Sequence, residues 1–176
     1  HLENAADEKR APGAAKVEPA DLENWAKRRS KVRGPHDLFV LYSHVDPKGK
    51  GITIVISTPN LLRNAKRQAE DAVKTDKVVL GQCDAPGTRT WHEYPVMTLA
   101  TSDRRHSLRP VAFAVVTREQ EKEGSPSQGY ERLIGETRRW LRENENFEWE
   151  PTHWMADVVD VLNKVLAKVW PKRKIT

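Results

Sequence analysis

Residues 77–171 carry their apolar side chains in an order that few folds can accommodate. Residues 77–83 form a short run, nearly continuously apolar at its start, as in a central strand covered on both faces. Residues 94–100 and 110–117 are two further β-rich runs, joined by a polar turn of Ser102, Asp103, Arg104, Arg105 and His106. Three such runs with short links read as an antiparallel meander. A loop rich in Gly, Ser and Pro follows. Tyr130, Leu133, Ile134, Thr137, Trp140 and Leu141 then recur at the spacing of one helix face. Residues 152–156 read as a short strand. Val158, Val161, Leu162, Val165, Leu166 and Val169 mark a last helix that Pro171 stops. The order is strand, strand, strand, helix, strand, helix, which places the chain in the α/β class.

Upstream the pattern is looser. Residues 1–20 are rich in Ala, Glu, Lys and Pro and cannot bury enough area to offset their ordering entropy, so they read as a flexible leader. Asp21 is positioned to cap a helix bearing Leu22, Trp25 and Ala26 on one face, with Gly34 and Pro35 as its stop. Residues 38–42 and 52–56 flank a turn rich in Pro and Gly and read as a hairpin. Thr58 followed by Pro59 then supplies an N-cap and a first helical residue for a short helix marked by Leu61, Leu62, Ala65 and Ala69. The expected organisation is a leader (1–20), a lead-in of basic helix, hairpin and helix (21–76), an α/β core (77–171) and a basic tail (172–176).

Charge and cysteine content narrow the function. Every apolar stretch is interrupted by Lys or Arg well short of the roughly 20 residues a membrane helix needs, so no membrane span is expected. Cys83 is the one cysteine, which excludes an internal disulfide and a multi-cysteine zinc site and points to a buried strand residue. The 30 Lys and Arg against 25 Asp and Glu leave a net charge of +5. The excess is clustered: Lys27, Arg28 and Arg29 with Lys31 and Arg33; Arg63, Lys66 and Arg67; Arg104 and Arg105; Arg138 and Arg139; and residues 172–174. Such clusters attract nucleic-acid phosphates through counterion release, or else form a solvated surface. The six Trp could stack bases, but Trp140 on a helix face and Trp154 on a strand read as core. The histidines lack metal-ligand spacing, and no Gly-rich phosphate loop is present.

Two carboxylates stand out by position. Asp84 ends the run 77–83, and Asp157 ends the run 152–156. On neighbouring strands they would emerge at one end of a sheet, where paired carboxylates can hold the divalent cations of phosphoryl transfer. The competing reading is that each is a turn former or, for Asp157, a helix cap.

A meander, a crossover helix and a further strand beside the first is the arrangement of a ribonuclease H-like core. From about residue 54 to 171 the chain resembles the transposase domain of Mutator-like elements, a DDE-type member of that superfamily. Cys83, Asp84 and Ala85, leading to Tyr94, Pro95 and Val96, resemble the first-aspartate motif of the family. Residues 98–116 are similar to its following hairpin, Trp154, Met155, Ala156 and Asp157 to its second-aspartate strand, and residues 56–65 to a lead-in found in some members.

The resemblance implies Asp84 and Asp157 as the first two metal ligands, for Mg²⁺ or Mn²⁺, with DNA as partner. Departures weigh against activity. Pro86, Gly87 and Thr88 stand where the family has Thr-Tyr-Lys, and the sequence ends at Thr176 before a third acid is reached. Glu119, Asp103 or Glu150 would have to substitute. The expectation is a transposase-derived domain with nucleic-acid affinity, no strand transfer and a vestigial metal site or none. A nuclear location follows from the basic runs at 27–33 and 171–174. The alternatives are a secreted or translocated regulatory protein that binds a protein partner, and a metal-dependent nuclease.

Overall fold

Local sequence and long-range pairing meet first at Thr58. Its hydroxyl accepts from the Leu61 N–H at 3.2 Å, Pro59 follows, and α2 (Pro59–Lys74) runs from there. A computed structural model of the chain describes residues 18–47, 51–84, 96–103, 105, 107–117, 126–156 and 159–170. Besides α2 these form α1 (Pro19–Arg28), β1 (Phe39–Val45), β2 (Ile52–Ser57), β3 (Leu80–Asp84), β4 (Val96–Ser102), β5 (Leu108–Val116), α3 (Pro126–Glu145), β6 (His153–Ala156) and α4 (Val159–Val169).

The six strands make one mixed sheet in the order β1-β2-β5-β4-β3-β6. Neighbours are antiparallel except β3 and β6, which run parallel with Leu80 opposite His153 and Cys83 opposite Ala156. The expected hairpin forms, and it extends the same sheet: Thr53 pairs with Val116 and Ile56 with Phe113. The lead-in and the expected core therefore share one sheet. This explains why Ile52, Thr53, Ile54 and Val55 are buried in succession. Helix α1 packs on one face, where Ala26 meets Val40, Ile52 and Ile54. On the other face α2 and α3 bring Leu62, Ala65, Tyr130, Leu133, Ile134 and Leu141 onto Val55, Met97, Leu99, Ala112 and Ala114. Cys83 is buried in that layer as expected, and burial pushes its thiol far above the ordinary range.

Three local expectations need correction. Helix α1 starts at Pro19, with Glu18 at the N-cap position, so Asp21 sits in the first turn and residues 19–20 belong to the helix rather than to a leader. It also ends at Arg28, ahead of Gly34 and Pro35, because the Arg29 carbonyl accepts from the Val40 N–H at 2.8 Å and turns the chain into β1. The third concerns residues 77–79, which precede β3. Lys77 N–H donates to the Ala72 carbonyl at 2.9 Å and Asp76 N–H to that of Val73, with Asp76 at φ 51°. That is a Schellman closure of α2, with Asp at the left-handed position usually held by Gly. Val78 is left exposed, so its apolar character marks a helix exit rather than a central strand.

An aromatic cluster closes the β3–β6 side. Trp154 lies with its ring centroid 5.8 Å from Trp149 and 5.7 Å from Trp170, and the Arg138 guanidinium sits 4.4 Å from the Trp170 ring. Among the described Trp, Trp140, Trp149 and Trp170 are buried, in accord with a core role.

Candidate functional site

Asp84 is the last residue of β3, exposed, opposite Thr98 of β4 and one residue past the Cys83–Ala156 register. Strand β3 lies between β4 and β6, as a paired-carboxylate site requires. Asp157 lies outside the described residues, as do Arg104, Glu119, residues 1–17 and the basic tail. Hard divalent cations take several oxygen ligands. Among the described residues no group of three or more His, Cys, Asp or Glu side chains is placed to hold one.

The candidate substitute acids have other tasks. Asp103 Oδ1 accepts from the N–H groups of Arg105 and Ser107, each at 2.9 Å, while Oδ2 pairs with Arg109 at 2.6 Å. The Ser107 N–H and then the Arg109 side chain hold its carboxyl below the ordinary range. It builds the β4–β5 turn, at the far end of the sheet from Asp84. From Thr98 to Ser102 alone the strand spans about 13 Å. Glu150 lies 3.8 Å from Arg138, just before the Thr152–Val79 contact that leads into β6, and so also at the far end.

The basic residues fall into two groups. Some are spent within the fold. Arg63 Nε donates to Glu145 at 2.7 Å and Lys66 reaches the same carboxylate at 3.4 Å, which holds the Glu145 carboxyl below its usual range. Arg138 donates to the Val169 carbonyl at 2.8 Å and pairs with Glu148. Arg139 pairs with Glu136 at 2.7 Å and Lys27 with Glu23 at 2.8 Å.

Others face solvent without an ion-pair partner among the described residues: Arg28, Arg29, Lys31, Arg33, Arg67 and Arg105. The Arg29–Val40 hydrogen bond holds the 28–33 segment at the start of β1, beside the end of β2. Arg105 sits in the turn between Ser102 and Leu108, about 13 Å along the strands from the Val40–Ile56–Phe113 row. Through the paired row Val40–Ile56–Phe113–Thr98–Asp84, the 28–33 segment stands level with Asp84 along the strands but four strands away across the sheet, and Arg105 lies at the end away from both. The four strand spacings from β1 to β3 put about 19 Å between Val40 and Asp84, and the stretch of β4 from Thr98 to Ser102 puts about 13 Å between Asp84 and the Arg105 turn.

Comparison with protein families, with curated proteins and with solved structures found no match to this chain.

Sequence patterns did not reveal Glu145 as the anchor of Arg63 and Lys66, nor Arg109 as the partner of Asp103. The Arg63–Glu145 contact joins residues 82 positions apart, and no local spacing encodes it. Glu136 was also missed. It is buried on α3, and Oε2 makes no hydrogen bond although Arg139 Nη2 comes within 2.7 Å. Burial raises its carboxyl above the ordinary value, against the opposing pull of Arg139 and Arg132. A raised folded value means that ionisation costs stability at neutral pH, and the cost vanishes as pH falls through that value. Glu136→Gln is therefore expected to raise the melting temperature at about pH 7 and to leave it unchanged near pH 3. Thermal melts at the two pH values check this; an equal shift at both would show that charge burial is not the cause.

Proposed function

We propose that this chain is a nucleic-acid-binding domain of ribonuclease H-like architecture, derived from a Mutator-like transposase, that binds the phosphate backbone without strand transfer. The topology supports the architecture. An antiparallel β3-β4-β5 meander with β6 parallel to β3 on its free side is the order such a core requires, and Asp84 at the carboxyl end of β3 matches the first-aspartate position. The observation that carries the binding role is the exposed run of Arg28, Arg29, Lys31 and Arg33 before β1, with Arg105 as a further exposed cation at the β4–β5 turn, none of them with an acidic partner among the described residues.

Unpaired guanidinium groups at a strand end can each neutralise a phosphate and release its counterion, which gives affinity without sequence preference. The candidate acid lies four strands from the 28–33 run, about 19 Å across the sheet, so a backbone bound there need not approach Asp84. No phosphoryl-transfer step is assigned to the described residues. Mg²⁺ or Mn²⁺ enters the reading only if Asp84 and Asp157 act as a pair. Nuclear import through the 27–33 run belongs to the same proposal.

Anisotropy titrations of a labelled DNA duplex across a salt series test it. With four to five phosphate contacts, log K is expected to fall with log salt at a slope of about −4. Replacing Arg28, Arg29 and Arg105 by Ala is expected to flatten the slope by about one unit per residue. Asp84→Asn should bind as the wild type does. Binding that is insensitive to salt or to the three replacements would overturn the surface, and cleavage in Mg²⁺ or Mn²⁺ that Asp84→Asn abolishes would overturn the non-catalytic half.

A further inference from the structure

A groove of about 560 Å³ opens between the C-terminal half of α2 and the segment linking α3 to β6, far from Asp84. Its floor is apolar, from Val79 and Phe147, and Val73 stands at its lip with 77% of its surface exposed. Glu70, Glu148 and Glu150 line the rim. Lys74 is the one base among the lining residues, against three acids, while Arg138 lies behind Glu148 and Glu150 and Lys66 lies 5.9 Å from the Phe147 ring, so Glu70 is the acid least offset. Glu70 has no ion-pair partner among the described residues.

The complement of this groove is present on the same molecule. Val32 is 47% exposed, and Arg28, Arg29, Lys31 and Arg33 surround it in sequence. An exposed apolar side chain inside a basic run matches an apolar floor inside an acidic rim in both respects. One molecule cannot join the two by itself. The run precedes β1 at one edge of the sheet, and the groove adjoins the start of β3, four strands away and about 19 Å across the sheet.

We infer that a second copy of this chain occupies the groove, inserting its Val32 segment between the Glu70 and Glu148 sides. The contact is head-to-tail: each chain offers a run to one neighbour and a groove to another. Its small apolar area makes it weak, and its charge complementarity makes it weaken with salt. This association uses the same 28–33 run as the nucleic-acid proposal, so phosphate and groove compete for it.

Sedimentation velocity on nucleic-acid-free protein, from about 10 μM to 1 mM, tests the inference. At low salt the weight-average mass should climb with concentration, and in about 0.5 M salt it should return toward that of the monomer. Val73→Glu breaks only the groove and Val32→Glu only the run; both positions are exposed, so the fold and melting temperature should be retained. Each variant alone should stay monomeric. An equimolar mixture should regain association and stop at two chains, because one intact run then meets one intact groove. A wild type that stays monomeric, a single variant that still associates, or a mixture that does not would each overturn the inference.

Discussion

Trp149→Ala is expected to lower the free energy of unfolding by about 3–5 kcal/mol, a large part of the 5–15 kcal/mol that a domain of this size holds. Trp149 has none of its surface exposed and is the largest fully buried side chain among the described residues. Its ring meets Trp154 edge-on, Trp154 meets Trp170, and Arg138 lies over Trp170 while also gripping the Val169 carbonyl and Glu148. Removing the indole therefore opens a cavity beneath the β3–β6 pair whose walls are tied to α3 and the end of α4. Little collapse can fill it, and the cost falls at the upper end of the range. The Trp149 indole N–H makes no hydrogen bond, so no polar partner is orphaned and the loss is one of packing. Urea unfolding followed by circular dichroism measures it. A loss below about 1 kcal/mol would show that the cluster is dispensable, and Trp149→Phe should cost distinctly less than the Ala replacement.

The second large effect comes from adding a single carbon. At Gly81, the second residue of β3, a Cβ would lie 2.8 Å from Cε3 and Cζ3 of Trp154 and 3.0 Å from its Cδ2. Such distances force a shift, and the atoms met belong to a rigid ring held between Trp149 and Trp170 rather than to the tip of a flexible chain. Gly81→Ala is expected to destabilise by about 1–3 kcal/mol, although Ala favours folding over Gly when only backbone entropy counts. A double-mutant cycle identifies the cause. In a Trp154→Leu background the Gly81→Ala cost should shrink by at least about 1 kcal/mol, because the ring that meets the new carbon is gone. Equal costs in both backgrounds would place the strain elsewhere. Both substitutions act on the strand pair that positions Asp84, so loss of the fold and loss of any Asp84-dependent property should run together, whereas Asp84→Asn leaves the fold intact.

Much of the element order was legible. Thr58 and Pro59 announce α2 because a hydroxyl that accepts a first-turn N–H and a ring preset to helical φ act within one turn. The stripe from Tyr130 to Leu141 announces α3 because its spacing places those side chains on one face. Val78 misled for the opposite reason: its apolar character resembles strand patterning, whereas the helix closure at Asp76 and Lys77 turned it to solvent.

The candidate site was less legible. Basic clusters look alike in sequence, whether they are spent as Arg63 and Arg138 are or face solvent as Arg28 and Arg105 do. Only contacts from distant segments separate the two groups. The four strand spacings, about 19 Å, between Asp84 and the 28–33 run are likewise invisible until strand order is known.

By itself the sequence determined the α/β class, the Thr58 cap of α2, the α3 face and the burial of Cys83, because propensity and periodicity act over a few residues. The tertiary structure alone decided that the hairpin joins β5, that β3 lies parallel to β6, and that Glu145 consumes the charge of Arg63 and Lys66. Each of these rests on hydrogen bonds or ion pairs between groups far apart in the chain. Their energies depend on the distances and directions that folding creates, which no local pattern records.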